Sequence, residues 1–158
     1  MTRLYGRAPV GERLLGYVPD CRWETSTILS SLRFDGTTEA LVFQGALNGD
    51  MFVSYVKKCL APTLKKGDIV IMDNLSSHKV DGVEKAIKAK GARIEYLPPY
   101  SPDLNPVENM WSKIKSYLRK VNKRCQETLF EAVGEALKTI SAQDAAGWFE
   151  HCGYCSPL

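Results

Sequence analysis

The order of secondary-structure signals predicts an α/β domain with a mixed sheet flanked by helices: a hairpin, a helix, a strand–helix–strand unit, then helices only. Three observations carry that prediction. Asp35-Gly36 separates two runs rich in β-branched and apolar residues, 25–34 and 39–44, which is a hairpin signal. An apolar run at 68–73 precedes a helical pattern and a short strand at 93–97, which implies parallel pairing through a crossover. From Asn105 onward the apolar residues recur at helical spacing.

Gly6, Pro9 and Gly11 interrupt any period over the first residues, which read as loop. Residues 13–18 predict a short strand stopped by Pro19. Asn48-Gly49-Asp50 starts a helix whose Phe52, Val53, Val56, Cys59 and Leu60 keep a 3.6 period until Pro62 limits it. The run 68–73 is apolar enough to predict a strand buried on both faces. A helix over 80–90 turns Val83, Ala86 and Ile87 inward, with Gly91 as its C-cap.

After the strand at 93–97 comes a proline-rich corner, Pro98-Pro99-Tyr100-Ser101-Pro102. Asn105 then reads as an N-cap with Pro106 at the first helical position. Val107, Trp111, Ile114, Leu118 and Val121 form an apolar stripe, flanked by Glu108, Ser112, Lys115 and Arg119. Thr128 to Glu131 is a capping box that starts or reinforces the next helix, with Leu129, Val133, Ala136, Leu137 and Ile140 inward. Ser141-Ala142-Gln143-Asp144 opens a last short helix carrying Trp148 and Phe149.

A chain of 158 residues, 44% hydrophobic and 25% charged, fits one globular domain with a core, spanning 1–158. No apolar run is long enough for a membrane helix, and residues 1–7 lack a signal-peptide stretch, so a cytoplasmic location is expected. Five cysteines make a disulfide framework unexpected in that compartment. Cys152-Gly153-Tyr154-Cys155 matches half a zinc site, with His151, or a redox pair, but an incidental pair is the better reading. The net charge of +3 is unevenly spread: residues 107–125 hold Lys113, Lys115, Arg119, Lys120, Lys123 and Arg124 against one acid. That run suits DNA phosphates and suits a solvated helix face equally.

Two acids, Asp73 and Glu108, stand out with 34 residues between them. Asp73 closes an apolar strand, where ligands gather in open α/β sheets, and a carboxylate at each place suits a hard divalent cation. Each has a plainer role. Asp73 reads as a turn aspartate, and Glu108 as the third helical residue of a capping box, which local sequence favours. Asn74 and His78 are close enough in sequence to support such a site, though a lone surface histidine is the commoner finding.

Two longer motifs change the weighting: residues 70–79, with Asp73-Asn74 and His78, and residues 97–111, from Leu97-Pro98-Pro99-Tyr100 to Trp111. Together with residues 2–9 and the Trp148…Tyr154 ending, they resemble the DDE-type transposases of bacterial insertion sequences in the mariner superfamily, over essentially the whole chain. The resemblance implies a ribonuclease H-like fold in which Asp, Asp and Glu hold two magnesium ions, manganese being the alternative. Asp73 matches the second acid and Glu108 the third. It further implies DNA integration and recombination, by metal-dependent DNA cleavage and strand transfer at transposon ends and target. A homodimer, or pairing with intact transposase, and a nucleoid-associated location follow from the same resemblance.

The family's first Asp lies on a central strand just before the segment matched here by residues 2–9. The expectation is therefore a partial catalytic domain, truncated and inactive alone, with strand edges left open. Asp20, Asp35 and Asp50 read as loop, turn and helix-start residues and do not replace that ligand. The competing expectations are a non-catalytic fragment that binds DNA or pairs with transposase, and a weaker nuclease using two acids.

Overall fold

The computed structural model describes residues 6–15, 25–121 and 126–154. The hairpin forms as its sequence predicts. Strand β1, Ser26–Leu32, pairs antiparallel with β2, Thr38–Gln44. Gly36 supplies the positive φ of the turn (85°), and the Asp35 carboxylate accepts the Thr37 N–H at 2.9 Å.

Helix α1, Gly49–Tyr55, is capped by Asn48, whose side chain accepts the Met51 N–H. A π-helical turn, Val56–Leu60, and a short α2, Ala61–Thr63, continue it. Strand β3, Ile69–Met72, and strand β4, Arg93–Tyr96, pair in parallel, with α3, Asp81–Lys88, between them in sequence. Three longer helices complete the chain: α4, Pro106–Val121, α5, Gln126–Lys138, and α6, Ala142–His151.

Alternation along the hairpin builds two cores. The cross-strand pair Leu29–Leu41 packs with Phe52, Val56, Leu60, Val83 and Ile87 of the α1–α3 layer. Its neighbours Ile28, Leu32 and Val42 pack with Met110, Ile114, Leu118 and Val133 of α4 and α5. The hairpin is thus covered by helices on both faces, as period-2 side chains require.

Four expectations need correction. The described residues hold two separate two-stranded sheets rather than one mixed sheet. The run 68–73 is not buried on both faces: Val70 and Met72 join the first core, but Ile69 is 49% exposed and Ile71 joins neither. Among the described residues β3 has a strand neighbour on one edge only, which leaves its side chains less covered than those of a central strand. Residues 13–15 form no strand, with Leu14 and Leu15 exposed, and the rest of that expected strand lies outside the described residues. The α5 helix already includes Gln126, so Thr128 lies inside it and does not start it.

Arg33 fastens the two sheets at one end. Its guanidinium donates to Asp68 Oδ2 at 2.8 Å and to the Thr63 carbonyl at 3.4 Å. The pair raises the arginine pKa and lowers that of Asp68.

Candidate active site

The parallel ladder closes the sequence gap between the two candidate acids. Asp73 follows the last residue of β3. The Leu97 N–H donates to the Met72 carbonyl at 2.8 Å, which extends the ladder and sets the proline corner beside Asp73. The opening between them is a cavity of about 390 Å³ whose wall includes Asp73, Asn74, Tyr100, Asn105 and Glu108.

Glu108 is not used as a helix cap. Asn105 Oδ1 accepts the Val107 N–H at 3.3 Å, so the N-cap itself forms. The Asn105 N–H, which a capping box would direct at Glu108, instead donates to the Pro102 carbonyl at 3.1 Å. That bond closes the 3-10 turn Pro102–Leu104. The exposed Glu108 carboxylate has no hydrogen bond or ion pair among the described residues. The corner is anchored from the far end of the chain, where Tyr154 Oη donates to the Leu104 carbonyl at 2.8 Å.

Asp73 keeps part of its turn role. Oδ1 accepts the Leu75 N–H at 3.3 Å, yet the side chain is 43% exposed. His78 is no lone surface histidine. Its ring stacks on Phe52 with centroids 4.1 Å apart, and its Nδ1 lies 2.5 Å from Asp73 Oδ1. That contact pairs the imidazole with the carboxylate, while Asn74 Oδ1 is buried without a hydrogen-bond partner among the described residues. Buried polar atoms are rarely left so. Asn74 Oδ1 is such an atom, beside a half-exposed carboxylate.

The donor set suits a hard cation: two carboxylates and an amide oxygen line or adjoin one open cavity. It is incomplete by itself. Among the described residues, no three His, Cys, Asp or Glu side chains stand close enough together to hold a metal ion.

The basic residues separate into three groups. Lys115, Arg119 and Lys120 are exposed on α4, on the helix whose first turn holds Glu108, and none has an ion-pair partner among the described residues. Lys115 and Arg119 lie roughly 10 and 16 Å along the axis from Glu108, at 1.5 Å per residue. Lys113 differs: its ammonium donates to Asp144 Oδ2 at 2.6 Å and to the Thr139 carbonyl at 2.8 Å. It ties α4 to α6 and has less freedom to meet a phosphate. Lys123 and Arg124 lie outside the described residues.

Cys152 is buried, within 3.8 Å of Asn109 Nδ2, and burial raises its pKa, the opposite of what thiolate chemistry needs. Cys155 lies outside the described residues. Spacing alone missed the Phe52 platform under His78 and the Pro102 carbonyl that releases Glu108. The proline at 102, which sets up a tight turn before the cap, was the available signal for the second.

An α/β domain that gathers carboxylates at a strand end and a helix start, beside an exposed basic helix face, has the layout of a site for anionic, metal-assisted chemistry. Residues 1–130 match the family model described as DDE superfamily endonuclease, and the chain belongs to that family. Nucleases of this family generally use divalent metals, and the family implies a DNA substrate. No curated protein matches the chain. No helix among the described residues is long and apolar enough to cross a membrane.

Proposed function

We propose that this chain carries the second and third carboxylates, Asp73 and Glu108, of a DDE transposase site that cleaves and joins DNA strands. The observation that carries the reading is the release of Glu108 from its cap into the cavity that Asp73 also lines. The mariner-type, insertion-sequence assignment rests on the motif resemblance of residues 70–79 and 97–111.

Magnesium, or manganese, bound there would supply positive charge to the oxygens of the phosphodiester under attack. The chain's own residues do the rest. Asp73 and Glu108 offer oxygen ligands from opposite walls. Asn74 and His78 support Asp73 from the protein side. Lys115, Arg119 and Lys120 hold the DNA backbone, which positions it without reading sequence.

A third acid is needed for the two-ion arrangement, and the split sheet suggests where it enters. Among the described residues β1 and β3 each have one strand neighbour, and the family resemblance places a further strand carrying that acid between the hairpin and β3, where it would complete a ribonuclease H-like sheet. A second reading follows from the same edges: the chain pairs with an intact transposase, or binds DNA without cutting it, because open strand edges template pairing with another chain.

Purified chain with magnesium and a labelled DNA duplex separates these readings. The proposal expects DNA binding that weakens with salt and drops several-fold in the Lys115→Glu/Arg119→Glu double variant, with little or no cutting by this chain alone. Robust magnesium-dependent cutting, abolished by Asp73→Ala, would show that two acids suffice and overturn the incomplete-site account.

A further inference from the structure

Tyr100 is placed at the mouth of the cavity in a way that burial and folding do not explain. Its side chain is fully exposed (102%). Its backbone lies in the left-handed region at φ 58°, and it is the sole non-glycine residue there among the described residues. Such a conformation is strained and persists where the surroundings over-determine it. Prolines at 98, 99 and 102 fix the chain on both sides. Its ring makes no aromatic contact and its hydroxyl no hydrogen bond among the described residues. A rigid, strained corner therefore holds an unpartnered aromatic face beside Asp73 and Glu108.

We propose that Tyr100 is a base-stacking residue: it receives one unpaired nucleobase of the DNA strand whose phosphate enters the Asp73–Glu108 cavity. This rests on the DNA-processing reading above. The charge pattern argues for nucleic acid as the occupant. The helix whose first turn holds Glu108 carries exposed Lys115, Arg119 and Lys120, so a polyanion held along it reaches the cavity. An aromatic side chain beside a basic track is how proteins hold unpaired bases, because every base offers a face to stack on. Leu75, 53% exposed on the same cavity wall, adds an apolar contact beside the ring.

The test compares two DNA probes, a blunt duplex and the same duplex with a short single-stranded overhang carrying 2-aminopurine. Full-length chain is used throughout. Tyr100→Asn removes the ring and keeps a residue that tolerates positive φ; Tyr100→Trp keeps an aromatic face. The expected result is overhang binding weakened about tenfold in Tyr100→Asn, little change in Tyr100→Trp, and blunt-duplex binding unchanged in both. The 2-aminopurine fluorescence is quenched by the wild type and by Tyr100→Trp, and not by Tyr100→Asn.

Equal overhang binding and quenching by Tyr100→Asn and wild type overturns the inference and leaves the DNA-processing reading standing. A wild-type chain that binds neither probe overturns both.

Discussion

Two helices begin with the same local pattern and use it differently. Ser141-Ala142-Gln143-Asp144 opens α6, and Asn105-Pro106-Val107-Glu108 opens α4, each with a capping residue followed three positions later by an acid. At α6 the pattern closes into a capping box: Ser141 Oγ accepts the Asp144 N–H, and Asp144 Oδ2 accepts the Ser141 N–H and meets the Lys113 ammonium. These partners depress the Asp144 pKa to about 2, the lysine contributing most. At α4 the corresponding backbone N–H is taken by the Pro102 carbonyl, and Glu108 lines the cavity with no partner among the described residues. One acid is committed to the fold, and the other has no hydrogen bond or ion pair among the described residues. A capping pattern in a sequence therefore does not settle what its acid does; the residues before the cap decide.

The comparison breaks first on stability. Asp144→Ala removes a charge-assisted hydrogen bond, half of the capping box and the Lys113 contact, and is expected to cost about 1–2 kcal/mol. For a chain of this length that is a fall of about 3–6 °C in the melting temperature, read by calorimetry. Glu108→Ala is expected to stay within about 0.5 kcal/mol of wild type, the scale of a surface substitution. Equal losses at the two sites would erase the distinction.

Acid titration sharpens it. The Asp144 pKa is lower in the folded chain than the ordinary carboxylate value, so its contribution is fully present above the unfolded-state pKa. It is lost as pH falls from about 4 towards about 2. Asp144→Asn should flatten that part of the stability curve, measured by urea unfolding at several pH values.

Much of the fold was legible because it depends on local signals. The Asp35-Gly36 turn, the Asn48 and Ser141 caps and the strand–helix–strand order all form from residues close in sequence. What failed depends on neighbours. Whether Ile69 is buried is decided by a second strand beside β3, and periodicity carries no information about that strand. The site divides the same way. Asp73 and Glu108 were visible as acids at a strand end and a helix start, and family motifs made them candidates. That Lys113 is spent on Asp144, and that His78 rests on Phe52, follows from packing between elements 26 and more residues apart.

The most direct measurement of the central claim is paramagnetic line broadening by manganese in the NMR spectrum of the full chain. It detects weak binding, as expected of a site with two of its carboxylates. The prediction is selective broadening of the amide signals around Asn74, Leu75 and Tyr100 at low manganese concentration. It should vanish in Asp73→Asn/Glu108→Gln and persist in Asp144→Asn. Broadening that survives the double variant, or that centres on Asp144, would contradict the assignment of Glu108 to the site and of Asp144 to the fold.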